Sequence, residues 1–438
     1  MIRVRAFASI LIPLLLAVGF AACATGDDDD DSAAASADDD ASSDDPSADS
    51  GPGGDGVNID PDDDADDDAG DDDGDDDIDT SPWPYTPPED WGPFRVGVRT
   101  EFWVDESRHE IWGNMDRTLP VEIWYPAADE GGIPNAMPDM IGPLPTWAPG
   151  LLDSIYQEKL DELWNTVTYA FRDAPVADES RRFPVILFSH GLTAIRFQNY
   201  TLCEYLASHG FVVVAPDHYG NAIFVNIPDA MVVFFNPVTT VSAYWDRPLD
   251  VDFVFEELEN LAAEDDWFLG KRLDLTAFGV TGHSYGALTS LLAGPGRDYI
   301  QAIAPLNPVW LGFFPTSYPK PVFMLQGTLD GLAGGMFDSN VTSRALFDSL
   351  DVGRKIHIEM LEAGHYSATD ACLLLPPSFV SPITGCSGEM IDTELANAIT
   401  ARYLTAFFKA SLLDDDRYVP TLLANEYPED IELDSVWQ

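Results

Sequence analysis

The sequence predicts an α/β fold, a mostly parallel twisted sheet with helices on both faces. Two observations carry this. Short, continuous apolar runs, among them residues 183–188, 211–215 and 322–325, lack the in-and-out alternation of a strand with one wet face, so both faces of each strand must be covered. Between the runs lie stretches with helical spacing, such as Tyr200, Cys203 and Leu206 before a stop at Gly210. A third observation adds chemistry to the fold: Gly282-His283-Ser284-Tyr285-Gly286 sits between the apolar run 275–280 and a helical stretch.

The elements follow in chain order. Residues 1–22 read as an export signal: two arginines within Met1–Arg5, an apolar stretch Ala6–Phe20 too short to span a membrane comfortably, then small residues. Its closing Phe20-Ala21-Ala22-Cys23 resembles the lipobox of bacterial lipoproteins, with phenylalanine where leucine is usual. That resemblance implies cleavage before Cys23, acylation of its thiol and new amine, and, with the non-acidic Ala24, an exported lipoprotein at the outer membrane or cell surface. An ordinary secretory signal with a chance cysteine is the alternative.

Residues 23–82 form an Asp-rich tether. The chain carries 22 Lys+Arg against 76 Asp+Glu, a net charge of −54, and 26 of the aspartates lie between Asp27 and Asp79 with no Lys or Arg among them. With Val57, Ile59 and Ile78 as its only sizeable apolar side chains, this segment cannot offset its own ordering entropy by burial, so disorder and extension by self-repulsion are expected. Its aspartate runs lack the distal glutamate of an EF-hand loop, which leaves a solvated spacer as the reading and a cation-binding arm as the alternative. The acidic balance excludes nucleic acid or anionic headgroups bound through a basic face.

Residues 83–438 are expected to form one globular domain. Residues 94–104 and 119–126 read as strands by their β-branched and aromatic content. An insertion, residues 127–182, follows, with Trp147, Leu151, Tyr156 and Trp164; a lid, a pocket edge and a purely structural cover all remain open for it. Further strands are expected within 183–191, 211–218, 275–284, 301–308, 321–330 and 355–365, and helices at 197–210, 249–262, 285–294, 339–350 and 392–412.

Glycines on both sides of Ser284 mark a G-x-S-x-G turn, and the flanking strand and helix make this short pattern specific. A reversal so tight strains the serine and admits no side chain at its neighbours. The hydroxyl is thereby raised at the carboxyl edge of the sheet and at a helix N-terminus, where the Tyr285 amide favours developing negative charge. A serine needs a base and an orienting acid. Asp330 follows the apolar run 321–327 and His365 follows the run 355–361, each at a strand's carboxyl end and in the chain order Ser, Asp, His. His190 and His283 lie within turn motifs, His209 precedes a helix-ending glycine, His357 is mid-strand, and His109 and His218 precede the serine. The turn Ser189-His190-Gly191-Leu192 leaves another buried strand. It is assigned the second oxyanion donor, the amide of Leu192, with Gly191 letting the backbone turn beside substrate.

The stretches RTLPVEIWYPA (117–127), RFPVILFSHGL (182–192), LCEYLASHGFVVVAPDH (202–218) and GVTGHSYGA (279–287) resemble the α/β-hydrolase group of platelet-activating-factor acetylhydrolases, dienelactone-hydrolase-like proteins and polyester hydrolases. The similarity spans nearly all of residues 94–410. It implies the α/β-hydrolase fold and a serine ester hydrolase, secreted and lipid-anchored. Two departures qualify it. Dienelactone hydrolases use a cysteine where this chain has Ser284. Mammalian-type acetylhydrolases place the acid one strand earlier, in a segment resembling PLNPVW, where this chain has Asn307, so the acid moves to Asp330 as in the polyester hydrolases.

Ser284, His365, Asp330 and the amides of Leu192 and Tyr285 then make an acyl-transfer site that requires no metal and no organic cofactor. Trp310, Phe313 and Phe314 line an acyl pocket or belong to the core. Cys203 reads as a buried thiol, and Cys372 and Cys386 as a disulfide just downstream of His365. The partners expected are an ester substrate and a membrane through the lipid anchor, with the protein a monomer. Acetylated phospholipid, small acyl ester, lactone and polyester stay open as substrates, and a silent hydrolase fold used as a surface binding module stays open as a different class of function.

Overall fold

The structure, a computed structural model, describes Asp79 and residues 81–438 apart from 111–114, 143–158, 228–230, 235, 237–238, 310–317, 332–338 and 375–383. The signal segment and nearly all of the tether therefore lie outside the described residues, as do Cys23, Trp147, Leu151, Tyr156, Trp310, Phe313 and Phe314.

Strands β1 (Arg95–Glu110) and β2 (Met115–Ala127) form a long antiparallel pair. Within the insertion, β3 (Ile133–Ala136), α1 (Met137–Ile141), α2 (Lys159–Asn165) and β4 (Val167–Arg172) follow. Then come β5 (Phe183–Ser189), α3 (Tyr200–Ser208) and β6 (Val212–Pro216). A hairpin of β7 (Phe224–Ile227) and β8 (Met231–Phe234) leads to α4 (Thr239–Ala262). The remaining strands are β9 (Leu273–His283), β10 (Ile300–Leu306), β11 (Val322–Gly327), β12 (Arg354–Met360) and β13 (Ile431–Trp437). Among and after them run α5 (Tyr285–Ala293), α6 (Ser339–Ser349), α7 (Ala371–Leu374), α8 (Thr393–Leu412) and α9 (Val419–Leu423).

The sheet has the order β13-β12-β11-β10-β9-β5-β6-β2-β1-β4-β3. Its six central strands, β12 to β6 in that order, are mutually parallel, while β2 and β13 pair antiparallel at either side. The central strands are apolar throughout because each buries alternate residues on opposite faces. Ile186, Phe188, Val213 and Ala215 join a cluster with Cys203 and Leu206 of α3 and Tyr403 and Phe407 of α8. Val185, Leu187, Val212 and Val214 join a second cluster with Val251, Val254 and Leu258 of α4 and Leu346 and Phe347 of α6. At about 1.5–3 kcal/mol for each fully buried Val, Leu, Ile or Phe, this double-faced burial is the main force holding the sheet.

The chain steps from β5 outward to β6 and then returns to lay β9 on the other side of β5. That reversal opens a crevice outside the carboxyl ends of β5 and β9, the place where open α/β sheets bind ligands. Ser189 pairs in register with Gly282, and Leu306 with both His283 and Leu325, so the ends of β5, β9, β10 and β11 line one rim.

The structure differs from expectation at several elements. The described part of 127–182 extends the sheet, with β4 pairing parallel to β1 through Gly97↔Phe171 and β3 beyond it; Arg172 of β4 reaches back to Glu122 of β2 at 2.8 Å. Helix α4 begins ten residues before Leu249 and runs through Pro248. Proline normally stops a helix by removing a hydrogen bond, but here Arg247 and Asp250 anchor the turn around it by buried polar contacts to other elements. The β13 edge strand and the β7–β8 hairpin were not among the expected elements.

Candidate active site

Ser284 caps α5 with φ 60° and ψ −114°, a region that a non-glycine residue occupies only under constraint, costing roughly 1–3 kcal/mol. The constraint is steric. A Cβ at Gly282 would lie 2.5 Å from the Ser189 carbonyl oxygen, and one at Gly286 would lie 1.8 Å from the same atom. The glycines let β5 and the turn pack in contact, and the turn thrusts the serine upward. Its amide donates to the Leu306 carbonyl at 3.0 Å, which holds the turn against β10.

Asp330 and His365 reach the same point from the ends of β11 and β12. The Ser284 hydroxyl lies 2.8 Å from His365 Nε2, and His365 Nδ1 lies 2.8 Å from Asp330 Oδ2. A carboxylate oxygen at Nδ1 fixes the proton on that nitrogen, which leaves Nε2 to accept from the serine. All three side chains are buried, Ser284 and Asp330 at 6% exposure and His365 at 2%. Such a line can move a proton from serine to imidazole while the carboxylate stabilises the imidazolium.

Supporting groups surround this line, and most of them were not legible in the sequence. Gln326 Nε2 donates to Asp330 Oδ2 at 3.0 Å. Asn307, at φ 46°, accepts from the Gly327 amide at 2.7 Å and donates to the His365 carbonyl at 3.1 Å. Asn307 thus anchors the backbone of His365 to the end of β11. His283, inside the turn motif, donates from Nε2 to the same His365 carbonyl at 2.7 Å and accepts from Gln198 Nε2 at 2.7 Å. Burial pulls the pKa of His283 down to about 3, so the ring stays neutral in that bridging tautomer. Gln198 Oε1 in turn accepts from the Gly191 amide at 2.8 Å. Only the two glycine-flanked turns pointed to this region; the amide bridge between them joins residues too distant in sequence to suggest pairing.

The turn after β5 lies against the serine: a Cβ at Gly191 would sit 3.4 Å from Ser284 Cβ. The Leu192 amide makes no hydrogen bond within the described residues, and Leu192 packs with Tyr285, Leu288, Tyr244 and Val309 in a small apolar cluster. Val309 also donates its amide to the Ser284 carbonyl at 3.3 Å, so this apolar wall adjoins the nucleophile position. Downstream, Cys372 and Cys386 are joined at 2.14 Å between sulfurs, and Tyr366 donates its amide to Thr384 at 2.8 Å across the loop they close. Cys203 is a buried free thiol. Among the described residues, no group of three or more His, Cys, Asp or Glu is placed to hold a metal ion.

Comparison with known proteins agrees with this architecture. A family model for platelet-activating factor acetylhydrolase, isoform II, matches residues 84–227, a stretch that includes Gly191 and Leu192 and ends before Ser284. The fold is similar to that of a ferulic acid esterase from Streptomyces cinnamoneus, with a TM-score of 0.62 and 23% identity over 78% of this chain and 96% of that one. A search of curated proteins gives no significant match. The chain has the α/β-hydrolase fold, and within it residues 84–227 are similar to the platelet-activating factor acetylhydrolase family.

Proposed function

We propose that this α/β-hydrolase is an exported serine esterase, cleaving carboxylic esters through an acyl-enzyme. The observation that carries the reading is the continuous line from Ser284 through His365 to Asp330, with 2.8 Å at both contacts. His365 takes the serine proton as Oγ attacks the ester carbonyl, and the amides of Leu192 and Tyr285 receive the oxyanion. The protonated imidazole then hands its proton to the leaving alcohol. Water, activated by the same imidazole, attacks the acyl-enzyme and frees the acid and Ser284.

The apolar wall of Leu192, Tyr244 and Val309 supports an uncharged acyl or aromatic group beside the nucleophile. Esters of short fatty acids and of aromatic acids both suit that lining, and the fold match to a ferulic acid esterase is consistent with the second. A panel of p-nitrophenyl esters of graded acyl length tests the proposal: turnover that Ser284→Ala abolishes, with the melting temperature unchanged, supports it. Equal turnover by Ser284→Ala contradicts it.

For the segments outside the described residues we propose signal cleavage before Cys23, acylation there, and an Asp-rich tether that holds the enzyme off a membrane. Partition of the expressed protein into a detergent phase, lost in Cys23→Ser, is the expected result.

A further inference from the structure

Arg247 of α4 is fully buried, yet its hydrogen bonds go to neutral acceptors: Nη1 to the His190 carbonyl at 2.6 Å, Nη2 to the Gly191 carbonyl at 3.3 Å, and Nη2 to Asn221 Oδ1. Its Nε has no hydrogen-bond partner among the described residues. Among the described residues no carboxylate pairs with it. Asp250, the neighbouring acid on the same helix, is engaged instead by Arg117 at 2.6 and 2.7 Å, by Arg108 at 2.8 Å and by His218 at 2.7 Å. Burial pulls the Arg247 pKa down to about 9, so it keeps its charge at neutral pH. A buried cation without a direct counter-ion is expensive to hold, and an apolar side chain would fill the same space more cheaply.

Its location gives the charge a use. The Gly191 carbonyl and the Leu192 N–H belong to one planar trans peptide and point in opposite directions. A cation at the carbonyl end draws electron density out of that amide and fixes its plane, which strengthens the N–H on the far side as a donor. His190 supports the same carbonyl, with Nδ1 donating at 2.7 Å while Nε2 accepts from the His218 amide at 3.1 Å. The guanidinium carbon also stands 4.8 Å from the ring centroid of Tyr285, the residue that supplies the other amide. One positive charge therefore contacts the carbonyl of the Gly191–Leu192 peptide and the ring of Tyr285.

We infer that Arg247 is a positioning residue for the oxyanion hole: it orients and polarises the Gly191–Leu192 peptide and sets a positive charge with no direct ion-pair partner among the described residues behind the oxygen that becomes negative. The inference rests on the esterase reading above. It separates from a packing role because it requires the net charge as well as the hydrogen bonds.

The test is Asn221→Asp, which keeps the shape of the side chain and the acceptor Arg247 already uses, but neutralises the cation with a carboxylate. With p-nitrophenyl acetate at pH 8, kcat is expected to fall about tenfold, less than the loss from deleting an oxyanion donor outright. KM should stay within about twofold and the melting temperature should hold or rise, because a stability role alone would gain from the new ion pair. The rate of labelling by a fluorophosphonate should fall in parallel. Arg247→Lys, which keeps a charge, should retain more kcat than Arg247→Met. A folded Asn221→Asp enzyme with wild-type kcat overturns the inference while leaving the esterase reading intact. A wild-type protein without esterase turnover overturns both.

Discussion

His283 donates its Nε2 proton to the carbonyl oxygen of His365 at 2.7 Å, so the residue just before the candidate nucleophile holds the loop that carries its base. The other ring nitrogen accepts from Gln198, whose carbonyl oxygen takes the Gly191 amide. Three loops from three strands are thereby tied to one neutral imidazole. His283→Leu removes the tie and leaves the Gln198 amide without its acceptor, at a cost of roughly 1–3 kcal/mol. A lower urea midpoint together with a kcat reduced about tenfold or more is the expected outcome, since a small displacement of a catalytic group is costly. Wild-type kcat in a folded His283→Leu would show that Asn307 alone suffices to hold the His365 carbonyl.

Asp330 acts through His365, and its substitution separates orientation from packing. Asp330→Asn keeps the shape but offers an amide that can turn its N–H₂ toward Nδ1 and favour the wrong tautomer. A fall in kcat of about 10⁴-fold with little change in KM is expected. Single-turnover kinetics on a p-nitrophenyl ester would check it, and a loss of less than tenfold would move the acid elsewhere.

Stability should fall in mild acid. Burial pulls His209, His218 and His357 to about 4 and His283 to about 3, with His190 well below its ordinary 6.5. The unfolded chain takes up these five protons near pH 6.5 and the folded chain does not, so this contribution is present above 6.5 and is lost as pH falls toward 4. Buried Glu204, Asp217 and Asp370 have the opposite sign: raised to about 7, 6 and 6, they bind protons first in the folded state and add stability as pH falls. Five groups against three leave a net decline, up to about 3 kcal/mol per pH unit near pH 5. Melting temperatures at pH 7, 6 and 5 should descend; a flat or rising series would contradict the burial of these histidines as neutral rings.

The disulfide closes a short loop beside the base. Its loss in Cys372→Ser/Cys386→Ser should cost about 3 kcal/mol by loop entropy. Because Tyr366 is held across that loop by Thr384, kcat should fall as well. A variant with the wild-type melting temperature would contradict this, and one that is merely less stable at full kcat would confine the bridge to a structural role.

Legibility in the sequence followed the range of the interactions. The parallel strands could be read because burial on both faces leaves a continuous apolar run, and Ser284 because a strained turn between strand and helix demands glycine on both sides within five residues. Asp330 and His365 stand out as candidates by their place at strand ends. Gln198, Asn307, Gln326 and Arg247 do not, because each works through side-chain contacts made only when distant strands align: Gln198 meets His283 across 85 positions and Arg247 meets His190 across 57. The helical start of α4 was missed for a related reason. Pro248 argues locally for a stop, and the buried contacts of Arg247 and Asp250 that hold the turn are tertiary.

Covalent labelling asks whether the oxygen of Ser284 is the nucleophile. The full chain is incubated with a fluorophosphonate, digested, and the adduct mapped by tandem mass spectrometry. A single adduct on the peptide containing Ser284, absent in Ser284→Ala and slowed strongly in His365→Ala, is the result expected. No adduct on the folded protein, or an adduct on another serine that survives Ser284→Ala, would contradict it.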